Sequence, residues 1–131
     1  ALSLAPLRED DDLPGRSLLR IANEPDDPAR LAFSEYHAVG APSGAYMLTD
    51  GRYKYHHYVG YPSELFDLHQ DPEEARNLAS DLRFAGIVAA FELRLREMLD
   101  PDAVDRRAKV DQNAFVAQHG GREQALLKGL K

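Results

Sequence analysis

The 131-residue chain is 44% apolar and 29% charged, with a net charge of −6 and no cysteine. This length and balance fit one globular domain with a core of its own. The missing cysteines exclude disulfides, thiolate metal sites and cysteine nucleophiles. An acidic balance without a basic stripe argues against duplex nucleic acid or an anionic membrane as a partner.

No apolar run approaches the ~18 residues of a membrane span, and no basic-then-apolar signal segment opens the chain. The absence of cysteine is compatible with a cytoplasmic protein, with a periplasmic one as the alternative. Ala1 is not a start methionine, which suggests a processed chain or a piece of a longer one.

Residues 1–30 read as an irregular lead-in segment. Glu9 to Asp12 form an acidic run, Pro14-Gly15 is a turn signal, and Ser17 to Ile21 can make a turn or two of helix. A hard cation takes several carboxylates, but no glycine-punctuated calcium loop surrounds the run, so a solvated loop is the better reading.

Leu31 to His37 alternate imperfectly, as a strand does, and residues 38–43 follow as a Gly/Pro loop. Tyr46 to Thr49 and Arg52 to Val59 are two further strands. Asp50-Gly51 between them is the signal for a two-residue type I′ hairpin, which would pair Leu48 with Tyr53 and Tyr46 with Tyr55. Tyr46, Leu48, Tyr53, Tyr55, His57 and Val59 then share the core-facing side. Glu64 to Leu68 is a fourth strand, antiparallel to the third.

Asp71-Pro72 ends that strand, and Glu73 to Arg76 can form one helical turn. Ser80 is a suitable N-cap for a long amphipathic helix carrying Phe84, Ile87, Val88, Phe91, Leu95, Met98 and Leu99 at helical spacing. Asp100-Pro101 stops it and opens another helix, with Asp100 as N-cap. This one has a thinner stripe of Ala103, Val104, Ala108 and Phe115. Gly120-Gly121 ends it, and Arg122 to Lys128 read as a last short helix or tail. Strands followed by helices define an α+β fold: a small antiparallel sheet of about four strands over residues 31–100, packed by the long helix, then a helical tail over 101–131.

Little in the chain carries chemistry. No serine sits in a nucleophile elbow, and no glycine loop suits a phosphate. His56 and His57 are strand neighbours and point to opposite faces, so both cannot bind one metal. Glu35 and His37 share a face of their strand beside a loop, a setting suited to binding or acid–base work. A metal site using His37, His57 and the acidic run is an alternative, as is a free-standing binding or assembly module.

The ordered set Gly51-Arg52-Tyr53-Lys54-Tyr55, Glu64-Leu65-Phe66-Asp67-Leu68, Asp71-Pro72-Glu73-Glu74 and Asn77-Leu78 resembles the C-terminal part of bacterial sulfatases. The likeness is to the choline-sulfatase and phosphonate-monoester-hydrolase kind, in the alkaline phosphatase superfamily. Gly15 to Leu18, Phe33 to His37, Asp100-Pro101, Gln112 and Gly120 to Glu123 extend it over nearly the whole chain. The resemblance implies a four-stranded sheet packed with a long helix, joined to an N-terminal catalytic domain absent from this sequence.

In the family that domain carries a formylglycine made from the Cys or Ser of a Cys-x-Pro-Ser-Arg motif, and a Ca²⁺ or similar divalent metal. Here Leu4-Ala5-Pro6-Leu7-Arg8 has leucine where the nucleophile belongs, so no cofactor is expected within this segment. The resemblance further implies a hydrolase of sulfuric, phosphonic or phosphoric esters when complete and an inactive segment alone. It places Glu35, Tyr36 and His37 near the mouth of the substrate cleft, where Glu35 could select a cationic group. It also implies homo-oligomer contacts through the tail from Pro101 to Lys131.

Overall fold

The computed structural model describes residues 16–25, 27, 29–38 and 41–127. The acidic run at Glu9–Asp12, the Pro14-Gly15 turn and the Leu4–Arg8 stretch lie outside them. The chain order is α1 (Leu18–Ala22), β1 (Ala32–Tyr36), β2 (Ala45–Thr49), β3 (Tyr53–Tyr58), β4 (Glu64–Asp67), a 3₁₀ turn (Leu82–Phe84), α2 (Ala85–Met98), α3 (Pro101–Gln118) and α4 (Arg122–Leu127). The strands form one antiparallel meander in sequence order.

The core lies between one sheet face and α2. Tyr46, Leu48, Tyr55 and Leu65 from the sheet pack with Leu78, Phe91 and Leu95. Leu48, Leu65 and Leu95 have no exposed surface. Tyr55 stacks on Phe91 at 5.8 Å, which locks the helix over the third strand. Burying a leucine or an aromatic side chain stabilises by about 1.5–3 kcal/mol each, so these contacts dominate.

The hairpin register differs from the sequence expectation by two residues. Leu48 pairs with Tyr55, and Tyr46 with His57. The turn residues are Gly51 and Arg52, closed by Asp50 N–H donating to the Tyr53 carbonyl. The cause is Asp50, whose carboxylate accepts from Arg52 N at 2.9 Å and Tyr53 N at 2.7 Å. Asp50 therefore caps the end of the strand, and of the two turn residues only Gly51 takes positive φ, at 92°. A two-residue slip preserves side-chain facing, because strands repeat every two residues. The core-facing set survives intact.

Two capping expectations also change. Residues 73–76 form no helical turn: Asp71 accepts from Ala75 N and Arg76 N through its carboxylate, and Glu74 takes a left-handed φ of 55°. The cap expected at Ser80 falls instead on Asp81, which accepts from Arg83 N at 3.0 Å and caps the 3₁₀ turn leading into the long helix; α2 itself starts after Phe84 with no side-chain cap. Asp100 caps α3 as expected, accepting from Asp102 N and Ala103 N. Met98 and Phe115, expected on apolar stripes, are half exposed; Phe115 packs against the His119 ring at 4.3 Å.

Candidate functional site

The signature residues prove to be architectural. Arg52 pairs with Asp67 at 2.9 Å and holds its buried carboxyl below the usual range. Leu68 N donates to the Arg52 carbonyl at 2.7 Å. Lys54 pairs with Glu74 at 2.7 Å. Asn77 acts as one more strand residue beside β4: its side-chain oxygen accepts from Leu65 N and Ala79 N, while Leu78 N donates to the Leu65 carbonyl. The loop is thereby stitched to the sheet, and Leu78 enters the core.

Two places gather polar groups. The first is the end of β1. Glu35 pairs across the sheet with Tyr46, and Tyr36 with Ala45, so Glu35 lies on the helix-side face and Tyr36 on the opposite one. His37 Nε2 is 3.6 Å from Glu35 Oε2, within ion-pair range but too far for a hydrogen bond. Both ring nitrogens of His37 are buried without a hydrogen-bond partner. Its ring meets the edge of Tyr46 at 5.4 Å. Gly44 is required beside it, since a Cβ there would lie 2.9 Å from His37 Cε1.

Helix α3 closes this end. Asp105, 5% exposed, accepts from Gly44 N at 2.6 Å and from Lys109 Nζ at 2.8 Å. The Lys109 ammonium holds its carboxyl below the ordinary carboxylate range. Tyr46 Oη donates to the Pro101 carbonyl at 3.1 Å. Burial, then the nearby carboxylates of Glu35 and Asp105, push the Tyr46 phenol up to about 12. Gln112 Nε2 donates to the His37 carbonyl at 2.5 Å. No local pattern marks Asp105 beyond its four-residue spacing to Lys109, because its partner Gly44 is 61 residues away.

The second place is an open cleft of about 430 Å³ between β3 and α2, lined in part by Tyr55, His57, Tyr61, Ser63, Val88 and Glu92. Its polar groups satisfy one another. Glu92 Oε2 accepts from Tyr55 Oη at 2.6 Å and lies 3.0 Å from His57 Nδ1; Glu92 Oε1 accepts from Arg96 at 2.6 Å. Burial acts to raise the Glu92 pKa, but the hydrogen bonds from Tyr55 and Arg96 outweigh it and leave the carboxyl below its ordinary value. Burial and Glu92 together push the Tyr55 phenol up. This network cross-links helix to sheet.

Among the described residues, no group of three or more His, Cys, Asp or Glu side chains could hold a metal ion. The described residues therefore offer no metal site, and no chemistry through a metal or a formylglycine is assigned to them. His37 and His57 flank Tyr46 without completing a ligand cluster.

Four strands form a meander under one long helix, and Arg52, Lys54, Asn77 and Glu92 each bind a partner within it. Residues 1–100 match the family described as N-sulphoglucosamine sulphohydrolase, C-terminal; the chain belongs to this family of sulfatase C-terminal domains. It is 33% identical over 113 residues to arylsulfatase K of Danio rerio, covering 80% of this chain and 21% of that protein. It is 36% identical over 88 residues to a Delta 4,5-hexuronate-2-O-sulfatase of Bacteroides thetaiotaomicron, covering 66% of this chain and 18% of that protein.

The solved structure of a 2-O GAG sulfatase superimposes with a TM-score of 0.52 at 30% identity, over 77% of this chain and 22% of that one. The phosphonate monoester hydrolase of Agrobacterium radiobacter gives a TM-score of 0.45 at 25% identity, over 56% of this chain and 18% of that one. The chain thus spans about a fifth of the length of the curated relatives it matches.

Proposed function

We propose that this chain is the C-terminal subdomain of a sulfuric-ester hydrolase and has no hydrolytic activity alone. The observation that carries the reading is the family match over residues 1–100, joined to a chemistry-poor set of described residues. The catalytic groups, formylglycine and a divalent metal, would then reside in a larger N-terminal domain of the same polypeptide. The test is release of sulfate from an aryl sulfate by the polypeptide encoded by the whole gene and by the 131-residue chain. Release by the former and none by the latter supports the reading. Turnover by the isolated chain, or none by either, contradicts it.

Within that assignment, Glu35 and His37 contact substrate from the end of β1, with Tyr36 between them on the other face. Two features support this. The Glu35 side chain is 46% exposed beside His37, leaving its charge available to a cationic group. His37 keeps two buried nitrogens without partners, and such groups are rare enough in folded proteins to call for a cause. Replacing Glu35 with Gln in the whole enzyme should raise KM for a cationic ester and leave KM for a neutral one unchanged. An equal KM for both esters in the variant and the parent rejects the role.

The tail is proposed to support homo-oligomer contacts, since Val110, Phe115 and Leu127 on α3 and α4 are at least half exposed.

A further inference from the structure

Helix α3 is seated by polar bonds more than by an apolar stripe. A helix that packs for stability lays a row of apolar residues on its neighbours. Here the buried residues of α3 are Pro101 and Asp105; Val104 meets the core only partly buried, and Val110 and Phe115 are at least half exposed. What ties the helix to the sheet is a set of hydrogen bonds at one place. Tyr46 Oη donates to the Pro101 carbonyl, Gly44 N to the Asp105 carboxylate, and Gln112 Nε2 to the His37 carbonyl. Positions 101, 105 and 112 fall on one side of a helix with 3.6 residues per turn, over a span of about 16 Å.

These bonds surround His37. The Gln112 amide holds its carbonyl. Asp105 holds Gly44, which lies so close to the ring that a Cβ there would stand 2.9 Å from Cε1. The Pro101 carbonyl fixes Tyr46, whose ring meets the imidazole edge-on at 5.4 Å. Helix α3 thus grips the backbone and the wall of this histidine, and it leaves both buried ring nitrogens without a partner. Unsatisfied buried nitrogens cost stability. An imidazole held still with both nitrogens unused is what a preorganised contact requires.

We propose that α3 sets substrate specificity from behind the site, with Gln112 as the positioning residue. Gln112 touches no substrate. It holds His37, and through it Glu35, whose Oε2 is 3.6 Å from the ring, in the geometry that binds the organic part of the ester. Asp105 and Pro101 seat the helix so that Gln112 reaches the His37 carbonyl. This rests on the reading of Glu35 and His37 as substrate contacts in a sulfuric-ester hydrolase. The family match ends at residue 100 and α3 starts at Pro101, so this control lies outside the stretch that the match covers.

Gln112 is exposed, so Gln112→Ala removes its bond without opening the core. Asn113, exposed beside it on the same helix, supplies the control, Asn113→Ala. The first readout is the proton–nitrogen spectrum of the histidine rings in the 131-residue chain, with His37 assigned by His37→Ala. Gln112→Ala should move the His37 ring signals and Asn113→Ala should not. The second is KM and kcat of the polypeptide from the whole gene on a cationic aryl sulfate. One hydrogen bond is worth a factor of about two to ten, so Gln112→Ala should raise KM about threefold to tenfold. A loss of binding alone leaves kcat within about twofold. In a His37→Ala background the same change should raise KM no further, because contacting residues do not add.

Unmoved His37 signals in Gln112→Ala overturn the proposal. So does a KM that stays at the parent value, or one that rises equally with and without the His37 ring, in a whole polypeptide that releases sulfate. Those outcomes leave the sulfatase reading standing. A whole polypeptide that releases no sulfate removes the reading and the positioning role together.

Discussion

Met47 and Leu48 are neighbours on one strand and live in different environments. Leu48 faces α2 and is fully buried, with Tyr46, Tyr55 and Leu65 around it. Met47 faces the other way, between Ser34 and His56, and is only partly covered. On the inner face the apolar groups touch one another, and Tyr46 Oη, Tyr55 Oη and Asp105 have partners within the domain, whereas the two ring nitrogens of His37 do not. The outer face mixes apolar Ala45 and Met47 with Ser34, Lys54, His56 and Glu64. The contrast teaches that the core is built on one face of the sheet, and that this side holds the domain together.

The largest expected effect tests the inner face. Leu95→Ala removes a fully buried side chain and should cost about 2–5 kcal/mol of unfolding free energy in a urea titration. A cost below about 1 kcal/mol would mean that α2 is not seated on the sheet as described.

Next is Asp105→Ala, which leaves Gly44 N without its acceptor and Lys109 without its partner. A loss of about 1–3 kcal/mol follows from an unsatisfied buried donor. The pH dependence separates this from simple loss of packing. The folded pKa of Asp105 is depressed, so its contribution is present above the unfolded carboxyl value, about 4. It is lost as pH falls through the folded pKa. Melting curves from pH 7 down to pH 3 should show the parent losing more stability than Asp105→Asn; parallel losses would remove Asp105 from the account.

Tyr46→Phe deletes only the hydrogen bond to the Pro101 carbonyl and should cost about 0.5–1.5 kcal/mol, read from the same titration. The smallest effect belongs to the outer face. Tyr58→Phe in the isolated chain loses its bond to Glu64 at a partly exposed site and should change stability by no more than about 0.5 kcal/mol.

Much of this was legible in the sequence. The meander, the α2 stripe and the Asp100-Pro101 start of α3 follow from periodicity and cap chemistry, because those signals are local. The two-residue register error came from Asp50, whose carboxylate caps the end of the strand where a turn position with positive φ was expected. Faces survived the error because the slip was even. The closure of the β1 end by α3 was not legible. It depends on Asp105 reaching Gly44 and Gln112 reaching His37, residues 61 and 75 positions apart, and no local pattern encodes such pairs. Glu92 was legible only as a charge flanking the helix stripe, though it joins Tyr55, His57 and Arg96. Of the candidate site, the shared face of Glu35 and His37 was legible, and the burial of the His37 nitrogens was not.

The division between faces is tested most directly by the neighbouring pair, Met47→Ala and Leu48→Ala, compared by urea unfolding. Leu48→Ala should cost about 2–5 kcal/mol and Met47→Ala less than about 1 kcal/mol, because only the first opens a closed core. Equal costs would contradict the account.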